Sequence, residues 1–247
     1  MLRQADCEHY WAKGWVVVED VFPKEEAERI AQLALRISQE ELTNAGDRYV
    51  ADASADGQLA PRKIDRPFWK HADFQAFILD QRLVTLLTTL LGAAPLLATD
   101  QIFMKPPRFG SAKPYHQDNF YFQCQPADHV ITAWIALDDV DVENGCLRYI
   151  DGSHYGPILP HEAVPGEPYN LVPPPELVDL RKEALALVRK GGVVFHHSQV
   201  LHTSHRNESD RWRRGYATHW VTADVTSQNG TLDRAYYKAA DYPQKHQ

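Results

Sequence analysis

His116 and Asp118 stand two residues apart in Tyr115-His116-Gln117-Asp118, inside a run that reads as a β-strand. Side chains at i and i+2 of a strand share a face, so the imidazole and the carboxylate converge on one point. Far downstream, Phe195-His196-His197-Ser198-Gln199-Val200-Leu201-His202 offers a third donor in His202. Two histidines and one carboxylate that leave coordination positions open make the facial triad suited to non-haem Fe(II). An HxD pair among twelve histidines is weak by itself. Its weight comes from what surrounds it.

After His202 comes a polar turn, Asn207-Glu208-Ser209-Asp210, and then Arg211-Trp212-Arg213-Arg214-Gly215-Tyr216. A hairpin centred between Asn207 and Glu208 sets Arg213 opposite His202 on the neighbouring strand. A guanidinium grips a carboxylate through two parallel N–H donors. The co-substrate 2-oxoglutarate chelates Fe(II) through its keto acid and needs such a cation at its far end. One hairpin would then deliver both the third ligand and the cation. Arg213 also reads as a surface arginine in a basic cluster with Arg211 and Arg214, and both readings stay open here.

The elements that must hold these residues follow from periodicity and punctuation. Trp15-Val16-Val17-Val18 is a short strand entered after Gly14. Pro23-Lys24-Glu25-Glu26 opens a helix with apolar residues at Ala27, Ile30, Leu33, Ala34 and Ile37. A second helix is expected from about Phe74 to Leu91, ended by Gly92. Beyond it come short strands at Leu97–Met104, His129–Leu137, Leu147–Ile150, Ala184–Val188, Val193–His197 and Tyr216–Thr222, separated by Gly, Pro and Asn turns. Helices first and many short strands later predict a mainly β fold, a sandwich or barrel with an α-helical flank. The expected frame is one domain over residues 1–247, helical to about 95 and β from about 96 to 225. The stretch Gly156 to Glu176, rich in Pro and Gly, reads as a long loop and a lid, with Arg48 to Pro67 as its partner.

A net charge of −7 and a pI near 5.9 argue against nucleic acid or an anionic membrane as partner. Cys7, Cys124 and Cys146 are few, odd in number and far apart, which fits a reducing compartment. The first residues start no signal peptide, and the apolar run from Leu83 to Ala98 is too short and too broken to span a bilayer. A cytoplasmic protein acting on a small molecule is the expectation. Oligomeric state is not readable.

Several runs together resemble the phytanoyl-CoA dioxygenase family. They are Lys105-Pro106-Pro107 through His116-Gln117-Asp118, Asn144-Gly145-Cys146-Leu147 leading to Gly152-Ser153-His154, and Leu201-His202-Thr203-Ser204 with Asn207 up to Arg213. The opening Gly14-Trp15-Val16-Val17-Val18-Glu19 and Pro23-Lys24-Glu25-Glu26 are similar too, so the resemblance covers nearly the whole chain. It implies a double-stranded β-helix (a jelly-roll or cupin-like barrel) that uses Fe(II), 2-oxoglutarate and O2. By position in the family pattern, His116, Asp118 and His202 correspond to the iron ligands. Arg213 and Ser204 correspond to residues on the distal carboxylate of 2-oxoglutarate, and Trp134 to a ring lining that pocket. Lys63 and Gln101 fall near two further co-substrate positions. Asp151 departs from the proline usual before Gly152-Ser153-His154, which concerns a turn and not the iron site.

Plain structural roles stand beside these. Trp134 sits in an alternating apolar strand and reads equally as core. His196 and His197 are adjacent, so one faces inward, toward packing or the site, and the other outward. Among functions, a dioxygenase that hydroxylates a small metabolite leads; the resemblance admits acyl-CoA thioesters, compatible solutes and secondary metabolites as substrates, with a secondary metabolite favoured, and desaturation, epoxidation or cyclisation would use the same residues. Asp118 argues against halogenation, which needs a small residue there. A zinc hydrolase on the same ligands would leave Arg213 and Ser204 without purpose. A non-catalytic binding barrel is the remaining class.

Overall fold

Alternating apolar residues in the second half of the chain build two β-sheets that face each other across the site. The computed structural model describes residues 2–45, 51–164 and 167–243. Ten strands form the two sheets, numbered in chain order: β1 Trp15–Val18, β2 Lys63–Asp65, β3 Leu96–Lys105, β4 Lys113–His116, β5 Val130–Ala136, β6 Leu147–Ile150, β7 Glu183–Ala186, β8 Val193–His197, β9 His202–Ser204 and β10 Arg213–Val221. The major sheet has the order β1-β8-β5-β10-β3-β2 and the minor sheet β7-β6-β9-β4. Among the described residues no ladder joins them, so this double-stranded β-helix is a pair of facing sheets and not a closed barrel.

Every residue of β5 and β10 is buried, because both faces of the major sheet are covered. Ile131, Ala133, Ile135, Tyr216 and Trp220 point to the helices, in one core with Ile30, Leu33, Leu83 and Leu87. Trp134, Ala136, Val194 and Ala217 point to the minor sheet and pack with Tyr149, Leu147 and Trp15. Each fully buried large side chain of this kind stabilises by about 1.5–3 kcal/mol relative to exposure.

The flank is built from α1 Gln4–Lys13, α2 Lys24–Ala45, α3 Ala72–Ile78 and α4 Gln81–Leu91. The helix expected from Phe74 to Leu91 is two helices. Asp80 breaks it, because its carboxylate accepts the Arg82 N–H at 2.8 Å and caps a fresh start. Gly92, at φ 68°, ends α4 as expected. α1 has no counterpart in the sequence reading, and Tyr10 is its one buried residue, so it carries little apolar signal. Among the described residues no single helix is long and apolar enough to cross a membrane. The bent pair α3 and α4 has the length together, but Phe74, Ile78, Leu83 and Leu87 lie in the core.

The segment from Gly156 to Glu176 is more regular than expected. Glu162–Val164 and Glu167–Val172 pair as an antiparallel ribbon, with residues 165 and 166 outside the described residues. The partner segment contains a second ribbon, Ala51–Ala53 with Leu59–Pro61, and then β2; residues 48–50 lie outside the described residues.

Candidate metal centre

His202 of β9 pairs directly with His116 of β4 in the minor sheet. Asp118 is not in the strand as expected. β4 ends at His116, Gln117 is still extended at φ −116° and ψ 128°, and Asp118 begins the short helix α5, Asp118–Phe122. The extended residues before it still aim Asp118 at the histidines, so the convergence survives. Asp118 Oδ1 lies 3.7 Å from His116 Nε2 and 3.8 Å from His202 Nε2. One donor atom from each of the three lies within 4.8 Å of the others.

The histidine tautomers suit a metal. His116 Nδ1 lies 2.9 Å from the Pro114 carbonyl and His202 Nδ1 lies 3.0 Å from the Val200 carbonyl. A carbonyl only accepts, so both Nδ1 atoms carry hydrogen and both Nε2 lone pairs face the centre. Burial, then the neighbouring His202, pushes His116 well below its usual range, which keeps it neutral. Burial alone would raise Asp118, yet His202 and the His196 hydrogen bond outweigh it and hold the carboxyl well below its usual range.

The major sheet supplies the support. His196, Thr132 and His219 are paired side by side across β8, β5 and β10, one rung of three inward side chains. Thr132 Oγ1 donates to Asp118 Oδ2 at 2.7 Å, and His196 Nε2 donates to the same oxygen at 3.1 Å. Behind them His219 Nδ1 lies 2.8 Å from Thr132 Oγ1, and the Tyr149 hydroxyl 2.8 Å from His196 Nδ1. The outer oxygen of Asp118 is thus engaged and the inner one is free. His196 is the inward member of its pair, and His197 faces away onto Asp128. Thr132, His219 and Tyr149 escaped the sequence reading because only strand register brings them to Asp118.

Arg213 reaches the same cavity by another route than expected. It does not pair with His202, because the chain changes sheets between Ser204 and Arg213. Asn207 anchors that crossing by donating to the Lys105, Pro106 and Arg211 carbonyls. Arg213 opens β10 and pairs with Lys105 of β3. Nor is it a surface residue. It is 2% exposed, its guanidinium carbon sits 4.8 Å from the Trp134 ring centre, and its Nε donates to the Gly145 carbonyl at 3.1 Å. Gly145 turns at φ 86°, where other residues strain, to present that carbonyl. Nη2 is buried without a partner.

Two cations therefore stand side by side under cover. Burial pushes Arg213 down to about 10, and burial together with Arg213 pushes Lys105 well below its usual range. Against that, the Lys105 ammonium reaches the Ser111, His205 and Ser204 carbonyls at 2.5, 2.7 and 3.4 Å, contacts that suit its charged form. Three carbonyl acceptors match the three ammonium donors, so the side chain is charged. An orphaned guanidinium nitrogen beside a second cation suits a carboxylate.

One cavity of about 340 Å3 contains all of this. His116, Asp118, His202, Arg213, Ser204, Trp134, Gln101 and Lys63 all line it, so the candidate metal and co-substrate residues come together, while His197 and Arg211 do not join them. Gln101 and Lys63 are linked on its wall through Asp65 Oδ1, at 3.2 and 2.7 Å.

The Phytanoyl-CoA dioxygenase (PhyH) family model matches residues 10–215. The chain belongs to that family. Phytanoyl-CoA dioxygenase family membership makes it a non-haem iron, 2-oxoglutarate-dependent oxygenase. Peroxisomal phytanoyl-CoA dioxygenase of Mus musculus is 26% identical over 229 residues, 87% of this chain and 67% of that one. Phytanoyl-CoA dioxygenase domain-containing protein 1 of Bos taurus is 34% identical over 141 residues, 53% of this chain and 47% of that one. EvdO2 from Micromonospora carbonacea var. aurantiaca, solved with 2-oxoglutarate, superposes with a TM-score of 0.73 at 22% identity over 92% of this chain and 93% of that one, which shows the shared fold. SnoK, a carbocyclase of nogalamycin biosynthesis, superposes at 0.70 and is 27% identical over 94% of this chain and 90% of that one.

Proposed function

We propose that residues 1–247 form one dioxygenase domain. It hydroxylates a small-molecule metabolite with Fe(II), 2-oxoglutarate and O2 and releases succinate and CO2. His116, Asp118 and His202 would hold the iron. The donor set fits: two Nε2 lone pairs and one free carboxylate oxygen converge, and three protein ligands leave room for other groups. Bound there, Fe(II) supplies activation of O2 coupled to decarboxylation of the keto acid.

The observation that carries the reading is the orphaned Nη2 of Arg213. Its guanidinium, with Ser204 beside it and the Trp134 ring against it, would grip the distal carboxylate, and Gln101 and Lys63 would contact the same molecule from the wall. Gln117, between His116 and Asp118, ties the start of the 156–176 segment to the site: its N–H donates to His161 Nε2, its Oε1 accepts from the Leu159 N–H, and its Nε2 donates to the Gln199 carbonyl. Relatives of similar fold act in nogalamycin biosynthesis, which favours a secondary metabolite, the carbocyclase SnoK makes oxidative ring closure the second reading, and free Cys7, Cys124 and Cys146 fit a reducing, cytoplasmic setting.

The test is a calorimetric titration of 2-oxoglutarate with and without Fe(II), followed by a succinate-release screen over metabolites. We expect iron-dependent binding, lost in His116→Ala, Asp118→Ala and His202→Ala. Arg213→Ala should weaken 2-oxoglutarate by roughly tenfold to a hundredfold, the worth of a charge-assisted contact. Arg211 pairs with Asp141 at the surface, 2.6 Å away, so Arg211→Ala should change little. Equal losses in the two arginine variants would sink the assignment.

A further inference from the structure

A second cavity, about 210 Å3, adjoins the first and shares Thr99, Phe122 and His219 with it. Strand register fixes where it lies. The inward residues of β10 run Arg213, Gly215, Ala217, His219, Val221. His219 marks the level of the triad, since its Nδ1 is 3.7 Å from Asp118 Oδ2. Arg213 lies on one side of that level, and Val221, paired with Val130 of β5, lies on the other. With a co-substrate reaching from the triad toward Arg213, the annex is the space left on the opposite side.

Its lining has a definite chemistry. Ala98, Cys124, Val130, Val221 and Leu232 make apolar walls. At its rim stand Arg66 and Arg234, both exposed, and neither has an ion-pair partner among the described residues. The Arg66 guanidinium is held over the Tyr236 ring, 4.9 Å from its centre, with Nε 3.4 Å from the Tyr236 hydroxyl. Asp100, whose charge Arg66 feels, already accepts from the Tyr216 and Tyr236 hydroxyls and the Phe68 N–H. No carboxylate is among the lining residues. A pair of cations at the mouth of an apolar pocket recognises an anion on an apolar body.

We propose that this annex is the subsite of the molecule to be oxidised. That molecule presents its reacting carbon in the main cavity, extends an apolar body past Phe122 and His219 into the annex, and has an anionic terminus, carboxylate or phosphate, held by Arg66 and Arg234. This rests on the oxygenase reading above, and the anion selectivity can be tested apart from it.

The probes are 4-phenylbutanoate, 4-phenylbutyl phosphate and the neutral 4-phenylbutan-1-ol. Each is titrated calorimetrically into the protein loaded with Fe(II) and 2-oxoglutarate, without oxygen. The expected result is that one or both anions bind about tenfold or more tightly than the alcohol. The double variant Arg66→Gln/Arg234→Gln, checked for folding by circular dichroism, erases that preference. Val221→Phe, checked for folding by circular dichroism, fills the annex and weakens all three probes. Equal binding of anions and alcohol, a preference that survives the double variant, or no binding by any probe at millimolar concentration overturns the proposal. A wild-type protein that fails to bind 2-oxoglutarate but keeps the arginine-dependent preference would instead overturn the oxygenase reading and leave an anion-headed ligand site.

Discussion

The two oxygens of Asp118 face different neighbours. Oδ1 looks toward both imidazoles, while Oδ2 accepts from Thr132 and His196. That division keeps the carboxylate from turning, so a metal meets one oxygen in one orientation. Groups behind a ligand typically change metal affinity by about 10–100-fold when removed. Thr132→Val keeps the shape of the side chain and removes the donor, so Fe(II) affinity should fall within that range. Thr132→Ser restores the hydroxyl and should recover most of it. A valine variant with unchanged affinity by metal titration would show that His196 suffices. That His116, Asp118 and His202 meet was legible in the sequence, the first two from their i, i+2 spacing and His202 from the family-like runs around it. Thr132 was not, since nothing near it in the chain says which residue lies opposite.

At the scale of strands, the pattern of alternation placed β6 and β8 at their observed bounds and β3, β5 and β10 within a few residues. What alternation does not carry is the choice of sheet. A polar turn between two β runs reads as a hairpin, and here the chain crosses from one sheet to the other. Arg213 still reaches the cavity because the sheets face each other over it. Gly215 is part of how. A Cβ added there would sit 1.8 Å from the Trp134 ring, which lies flat across the bare backbone of β10. Trp134 in turn backs the Arg213 guanidinium. Gly215→Ala should therefore overpack the site, cost about 1–3 kcal/mol of stability and weaken 2-oxoglutarate binding. Trp134→Phe removes the clashing atoms, so the double variant should be more stable than the sum of the two singles predicts. Chemical denaturation of the four proteins measures this. Simple additivity would mean that the ring moves aside without cost.

Across the whole molecule, buried histidines tie stability to pH. His197 lies outside the metal centre, on the far side of β8 from His196, and is 1% exposed. Its Nδ1 accepts the Gln199 N–H at 3.0 Å, so Nε2 must carry the hydrogen that reaches Asp128 Oδ1, also at 3.0 Å. A second proton would have to displace the Gln199 contact. Burial is the largest cause and outweighs the raising contact with Asp128, leaving His197 at about 4 against an ordinary value of 6.5. The folded chain thus binds this proton less readily than the unfolded chain. The penalty is absent above about pH 6.5 and grows as pH falls toward 4. Between pH 7 and pH 5 it amounts to about 2 kcal/mol. His197→Gln should be less stable at pH 7, having lost its hydrogen bonds, yet lose less on acidification. Urea unfolding of the metal-free protein at both pH values reads the difference, with the triad's own titration common to both chains. Parallel losses in wild type and variant would mean that His197 takes up its proton in the fold after all and that acid sensitivity arises elsewhere.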